Sequence, residues 1–204
     1  MSEIYALSDD TLTPPQTIFS QIDEILRCGV KLVQYRSKLA ARDEALIRSL
    51  IGLCEDYGAK LIINDDAALA KKLGAHGVHI GKGDGETAQV REFLGADKII
   101  GVSCYADLAR AQKAEAQGAS YVAFGSLRRG KTKPDAPLCP DALVQEARKS
   151  LNLPIAVIGG ISLENLNEIL ALKPDYIAMV EAIYRPASIT QNLANLKEKM
   201  DEYI

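Results

Sequence analysis

The stretch VQYRSK, residues 33–38, sets an amide and two cations in alternation: Gln34, Arg36 and Lys38. In an extended strand such residues share one face, with Val33 and Tyr35 on the other. Further along, Asn64-Asp65 and the GKGD segment with Asp84 supply two carboxylates, and Ser103 a hydroxyl. SLRRGKTKPDA (126–136) adds Lys131, Thr132 and Lys133. Cations beside paired carboxylates suit a polyanion accompanied by Mg²⁺, which takes few protein carboxylates and completes its shell with water and phosphate oxygens. The Arg/Lys cluster suits pyrophosphate. A second phosphate site is the backbone at GGIS, with Gly159-Gly160, and after Val180-Glu181, where N–H groups at a helix start hold phosphate without side chains.

Each group also has an ordinary reading. Asn64-Asp65-Asp66 can simply begin a helix, since Asp and Asn favour N-caps. Gly159-Gly160 reads equally as a tight turn, and RRGKTK as an exposed basic loop, above all at Arg128 and Arg129. His79, inside the apolar run VHI, reads as a packed residue rather than a catalyst. The functional reading gains only if one fold gathers these groups at one end.

The elements that would do so repeat along the chain. GAKLIIND (58–65), GAHGVHIG (74–81), GADKIIGVS (95–103) and GASYVAFG (118–125) share a rhythm of Gly-Ala, a short apolar run, then polar or glycine residues. CGVKLVQYR (28–36) is a looser copy. Glycine closes a helix and the apolar run is a buried parallel strand. Counting this way predicts eight strands, near 4–8, 31–36, 60–64, 77–80, 98–102, 120–125, 154–158 and 174–180. Helical faces lie between them: Ile18, Ile22, Ile25 and Leu26; Leu46, Leu50, Leu53 and Tyr57; Leu193, Leu196 and Met200 at the close. Ser162 is placed to cap the helix after the seventh strand. Eight strand–helix units predict a single α/β domain over 1–204, a (β/α)8 TIM barrel, with a doubly wound open sheet as the alternative. In a barrel, the residues singled out above all fall at the C-terminal strand ends, where such folds carry their active sites.

The chain has 204 residues, 48% of them apolar, enough for one substantial core. A net charge of −3 and a pI near 5.5 argue against a general nucleic-acid binder. No apolar run is long enough to span a bilayer, and MSEIYALSDD lacks the pattern of a signal peptide. Cys28, Cys54, Cys104 and Cys139 are widely spaced and match no zinc pattern, so they read as reduced thiols of a cytoplasmic protein. Cys104 follows an apolar strand and so could stand near a site, but reads as a structural thiol before a nucleophile. Oligomeric state, a homo-oligomer included, is not legible.

The ordered motifs IYALSDD, VQYRSK, LIINDDAALA, GVHIGKGD, IGVSC, YVAFG…TKPDA and AVIGGIS resemble those of the thiamine phosphate synthase family over nearly the whole chain. The resemblance implies phosphorylated small-molecule substrates. Hydroxymethylpyrimidine pyrophosphate is joined to hydroxyethylthiazole phosphate, giving thiamine phosphate and pyrophosphate, with Mg²⁺ and a dissociative, carbocation-like step. It implies that Arg36, Lys38, Asn64, Ser103 and Lys133 bind pyrophosphate, with Arg36, Lys38, Ser103 and Lys133 serving catalysis. Asp65 and Asp84 match the Mg²⁺ ligands, Gln34 lies near the pyrimidine, and Thr132, Gly160, Val180 and Glu181 serve the thiazole phosphate.

The chain departs from the family pattern at Tyr35, Ser37, Asp66, Gly83, Gly130, the RRG approach to the loop, and Glu181, which stands where a serine is usual. Two rivals remain. The thiazole tautomerase branch of the same superfamily carries a histidine at the end of the sixth strand, here Ser126. A non-catalytic binder of phosphorylated thiamine precursors would bind without turnover.

Overall fold

The computed structural model describes residues 2–39, 41–130 and 137–203. Eight parallel strands form a closed barrel in sequence order: β1 (Glu3–Leu7), β2 (Leu32–Tyr35), β3 (Lys60–Asn64), β4 (Gly77–Ile80), β5 (Ile99–Tyr105), β6 (Tyr121–Phe124), β7 (Ile155–Ile158) and β8 (Tyr176–Met179), with β8 pairing back onto β1. Helices α1 (Ile18–Arg27), α2 (Glu44–Asp56), α3 (Ala67–Leu73), α4 (Thr87–Leu94), α5 (Leu108–Ala116), α6 (Asp141–Ser150) and α7 (Leu166–Leu170) follow the first seven strands. The short α8 (Glu181–Tyr184) and the closing α9 (Ile189–Glu202) follow the eighth. The expected (β/α)8 barrel is therefore the fold, and the open-sheet alternative falls.

Strand alternation divides the core in two. One set, including Ile4, Val33, Ile63, Val78, Val102, Phe124, Val157 and Ile177, packs outward against the helices. The other, Tyr5, Leu7, Leu32, Ile62, Tyr121, Ala123, Ala156 and Ala178, fills the barrel interior. Three tyrosines, Tyr5, Tyr121 and Tyr176, meet edge to face there, with ring centroids 5.8–6.4 Å apart. Small residues make the room. A Cβ on Gly101 would lie 2.0 Å from the Tyr121 ring, so only glycine fits that position of β5. The helix-closing role expected of glycine is realised at Gly74, which ends α3 with φ 75°.

Several local expectations are corrected. The buried face of α2 is Ile47, Leu50, Ile51 and Cys54; Leu46, Leu53 and Tyr57 flank it half-buried, because the helix is turned by about one residue from the predicted face. Helix α7 begins at Leu166, not beside Ser162. The Ser162 N–H instead donates to Asn165 Oδ1 (3.0 Å) in the turn before it. Strand β5 runs on past Ser103 to Tyr105, with a register shift against β6. Cys104 thus lies within β5, not after it, and points into the buried outer core. Burial pushes its thiol up to about 12, which removes it as a nucleophile at neutral pH.

Candidate active site

The motif that opens the sequence reading is split by the end of β2. Gln34 is inside the barrel, 2% exposed, and donates to Tyr5 Oη at 2.7 Å. Arg36 and Lys38 lie beyond the last strand residue, Tyr35, at the C-terminal mouth. Two acids of the β1–α1 loop hold this segment. The Arg36 guanidinium is 3.8 Å from Asp9, and the Lys38 N–H donates to Asp10 Oδ2 at 2.7 Å. Ser8 is shared: its hydroxyl accepts from the Arg36 N–H at 2.7 Å. In the sequence Ser8, Asp9 and Asp10 stand only within the motif IYALSDD, and 28 positions separate Ser8 and Asp10 from the cationic residues that they meet here.

At the end of β3 the three polar residues separate into different jobs. Asp66 caps α3, accepting from the Leu69 N–H at 2.8 Å. Asn64 is half-buried and paired in register with His79. Asp65 takes a left-handed backbone, φ 64°, while its N–H donates to the His79 carbonyl at 2.8 Å. That conformation is uncommon outside glycine and concentrates at functional sites. The helix-start reading is thus right for Asp66 and wrong for Asp65, whose carboxylate turns to Lys38 Nζ and to Asp84. Asp84 reaches the pair from the β4–α4 loop, fixed by the Gly81 N–H at 2.7 Å.

The two carboxyls are driven apart electrically. Desolvation opposes ionisation of Asp65, but the hydrogen bond and charge of Lys38 outweigh it and hold the carboxyl below the usual range. Desolvation and the neighbouring Asp65 charge push Asp84 up, against the help of the Gly81 N–H. Such a pair, with an ammonium beside it, fits a hard divalent cation that shares its shell with phosphate and water. Among the described residues no group of three or more His, Cys, Asp or Glu side chains is placed to hold a metal ion.

Below the carboxylates runs a buried hydrogen-bond chain. Gln34 donates to Tyr5 Oη; Tyr5 and Tyr121 hydroxyls are 2.8 Å apart; Tyr121 Oη is 2.9 Å from His79 Nδ1; His79 Nε2 is 2.8 Å from Ser103 Oγ. His79 is indeed a packed interior residue, stacked on Tyr121. It also links the two candidate site residues Gln34 and Ser103, a role sequence reasoning missed along with Tyr5 and Tyr121. Only the alternation of IYAL and YVAF could have placed those tyrosines inside.

Burial lowers the His79 pKa to about 4, so the ring is neutral at pH 7. The unfolded chain, with an ordinary histidine near 6.5, binds the extra proton more readily. Stability contributed by His79 is complete above about pH 6.5 and is lost as pH falls towards 4, by roughly 3 kcal/mol in full. Unfolding free energies of wild type and His79→Asn between pH 7 and pH 4.5 test this: the variant, though weaker overall, is expected to show the shallower pH slope.

The other side of the mouth carries Gly160, Val180 and Glu181. Gly159 and Gly160 have φ 107° and 62° and follow β7 directly. Val180 packs at the top of the interior cluster and precedes Glu181, the first residue of α8. The expectation that Arg128 is an exposed loop charge is overturned. Its guanidinium is 24% exposed and holds Asp141 and Glu168, at 2.8 and 3.0 Å. Lys131, Thr132 and Lys133 lie outside the described residues. The structure therefore brings Lys38, Asp65 and Asp84 into contact, joins Gln34 to Ser103 through the interior, and sets Gly160 across the mouth.

A closed parallel barrel with a carboxylate pair, cations and a glycine turn at its C-terminal face has the layout of a (β/α)8 barrel enzyme. Within that class, residues 4–183 match the family described as thiamine monophosphate synthase, and the chain belongs to that family. It is 44% identical over 188 residues to a thiamine-phosphate synthase of Nitrosococcus oceani, covering 91% of this chain and 87% of that protein. The structure is similar to thiamine phosphate pyrophosphorylase from Pyrococcus furiosus, with a TM-score of 0.88, 27% identity, and coverage of 99% and 96% of the two chains. A 3-hexulose-6-phosphate synthase from Salmonella typhimurium, with a TM-score of 0.75 and 19% identity over 99% and 100% of the chains, shares the fold alone.

Proposed function

We propose that this chain joins hydroxymethylpyrimidine pyrophosphate to hydroxyethylthiazole phosphate, releasing pyrophosphate and forming thiamine phosphate, with Mg²⁺. The observation that carries the reading is the Asp65–Asp84 pair touching Lys38 at the barrel mouth of a family member. Asp65 and Asp84 would hold the Mg²⁺, which when bound supplies charge neutralisation to the pyrophosphate oxygens.

The residues do the rest by position and field. Arg36 and Lys38, with Lys133 and the polar groups of Asn64 and Ser103, receive the pyrophosphate. As the bond from the pyrimidine methylene carbon to the pyrophosphate oxygen breaks, its electron pair moves onto that oxygen. Preorganised cations stabilise the charge that develops there. The aminopyrimidine ring delocalises the cation left behind, and the thiazole nitrogen lone pair forms the new C–N bond. No activated Ser or Cys is needed, in keeping with the buried, inert Cys104. Gln34, locked by Tyr5, orients the pyrimidine. Gly160, Val180 and Thr132 serve the thiazole phosphate. Holding two rings in register in this way contributes up to ~7–11 kcal/mol.

The tautomerase reading is disfavoured. The chain's two histidines are His76 and His79. His76 bonds the Leu61 N–H near the start of β3, and His79 lies inside on β4. At the end of β6 Ser126 donates to the Arg128 carbonyl at 2.8 Å. Incubation of purified protein with both substrates, with Mg²⁺ and with a chelator, tests the proposal through thiochrome fluorescence. Mg²⁺-dependent product supports the synthase. Binding of the substrates without product supports the non-catalytic alternative.

Glu181 gives a narrower test. A carboxylate opening α8 would oppose a phosphate brought beside it. Glu181→Ser is expected to leave kcat unchanged and to keep or lower the KM for the thiazole phosphate. A large loss would assign the carboxylate a positive role.

A further inference from the structure

We propose that Arg128 is the positioning residue of the thiazole phosphate site: it fixes the root of the β6–α6 loop onto the Gly159-Gly160 turn, and so sets that site's geometry. The inference rests on the functional reading above.

The guanidinium is used in full. Its two terminal nitrogens donate to the two oxygens of Asp141 at 2.8 and 2.9 Å. Nε and one terminal nitrogen donate to Glu168 Oε2 at 3.2 and 3.0 Å, and the other also reaches the Leu127 carbonyl at 2.9 Å. One planar fork thereby ties the loop to the first residue of α6 and to α7. Two carboxylates neutralise the arginine, so its role is to place the loop, not to bind phosphate itself.

The backbone carries that placement to the site. The Leu127 and Arg128 N–H groups donate to the Ile158 and Gly159 carbonyls at 3.0 Å each, extending the β6–β7 pairing beyond the strands. The loop lies directly on the glycine turn. A Cβ at Gly160 would stand 2.6 Å from the Arg128 carbonyl oxygen and 2.7 Å from that of Arg129; a Cβ at Gly130 would be 3.3 Å from the Gly160 nitrogen. With no side chain between them, movement of the root moves the surface that Gly160 offers. Strand order separates this surface from Arg36 and Lys38, since β7 and β2 stand on different sides of β8 and β1. Lys133 belongs to the same loop, so some effect on the pyrophosphate is also expected, but the larger one should fall on the thiazole phosphate.

Steady-state kinetics of Arg128→Ala, Arg128→Lys and the double variant Asp141→Asn with Glu168→Gln test the assignment. Arg128→Ala is expected to raise the KM for hydroxyethylthiazole phosphate about tenfold or more, and the KM for the pyrimidine pyrophosphate by a clearly smaller factor. The double variant should reproduce it. Arg128→Lys, which keeps the charge but loses the fork, should fall between. Unchanged KM values, or a fall in kcat and melting temperature with neither KM moved selectively, would overturn the proposal. If wild type makes no thiamine phosphate, the functional reading fails separately. Calorimetry with hydroxyethylthiazole phosphate and with inorganic phosphate then decides this one: weaker binding by Arg128→Ala upholds it, and equal binding, or none by wild type, overturns it.

Discussion

Asp84→Ala is expected to reduce Mg²⁺-dependent formation of thiamine phosphate by about 10²–10³-fold or more while the barrel stays folded. The size follows from what Asp84 does and does not hold up. Its carboxylate accepts from the Gly81 N–H within its own loop, and its neighbour Asp65 already makes it harder to ionise. Removing it relieves a like-charge contact at a half-buried position, so the melting temperature should stay level or rise slightly. The chemistry loses half of the carboxylate pair. Lys38 remains beside Asp65 and cannot replace a divalent ion, because an ammonium is a single charge with no open coordination positions. A thiochrome assay across a Mg²⁺ titration, with a thermal melt of the same sample, checks both halves. Wild-type turnover in the variant would defeat the metal assignment, and the Arg36–Lys38 cluster would then have to stabilise the leaving group unaided.

Gly101→Ala is expected to have the largest effect on stability. The new methyl would meet the Tyr121 ring at 2.0 Å and its hydroxyl at 2.2 Å. Tyr121 has nowhere to retreat. It is 2% exposed, stacked on His79, and in edge contact with Tyr5 and Tyr176. Displacing it also breaks the hydrogen bonds to Tyr5 and His79 in the barrel interior. Overpacking of about 1–3 kcal/mol then adds to roughly 1–3 kcal/mol for each buried polar group left without a partner. At about 2–4 °C per kcal/mol for a chain of this size, the melt should move by ten degrees or so. Gly52→Ala is the control, since a Cβ there meets nothing within 4 Å. A melt for Gly101→Ala as close to wild type as that control would mean the interior is not packed as described.

The two predictions concern opposite ends of one design. The tyrosine-filled interior is the rigid floor on which the mouth is built. Gln34 and Ser103, proposed substrate-binding residues, are tied to that interior, Gln34 by Tyr5 and Ser103 by His79. A change in the floor is therefore felt at the mouth, while removal of a carboxylate at the mouth leaves the floor intact.

Much of this was determined by the sequence alone. Period-two alternation in VQYR sends Gln34 inward and Val33 outward whatever the neighbours, because successive strand residues face opposite ways. The repeated Gly-Ala-apolar unit predicts eight parallel strands alternating with helices, and the structure decides that they close into a barrel and do not stay an open sheet. Closure alone gathers Arg36, Asp65, Asp84, Ser103 and Gly160, spread over 125 positions, onto one rim. What tertiary structure decided were pairings between residues far apart in the chain. Asp65 and Asp66 are adjacent acids with the same intrinsic preference for a cap. Only the left-handed turn at Asp65, held by the His79 carbonyl, gives one to the helix and the other to the site. Arg128 reads as a solvated loop charge until α6 and α7 bring Asp141 and Glu168 to it. Tyr5 and Tyr121 are 116 positions apart, yet their hydroxyls meet. Local propensity acts over a few residues and carries no information about such encounters; packing across the barrel does.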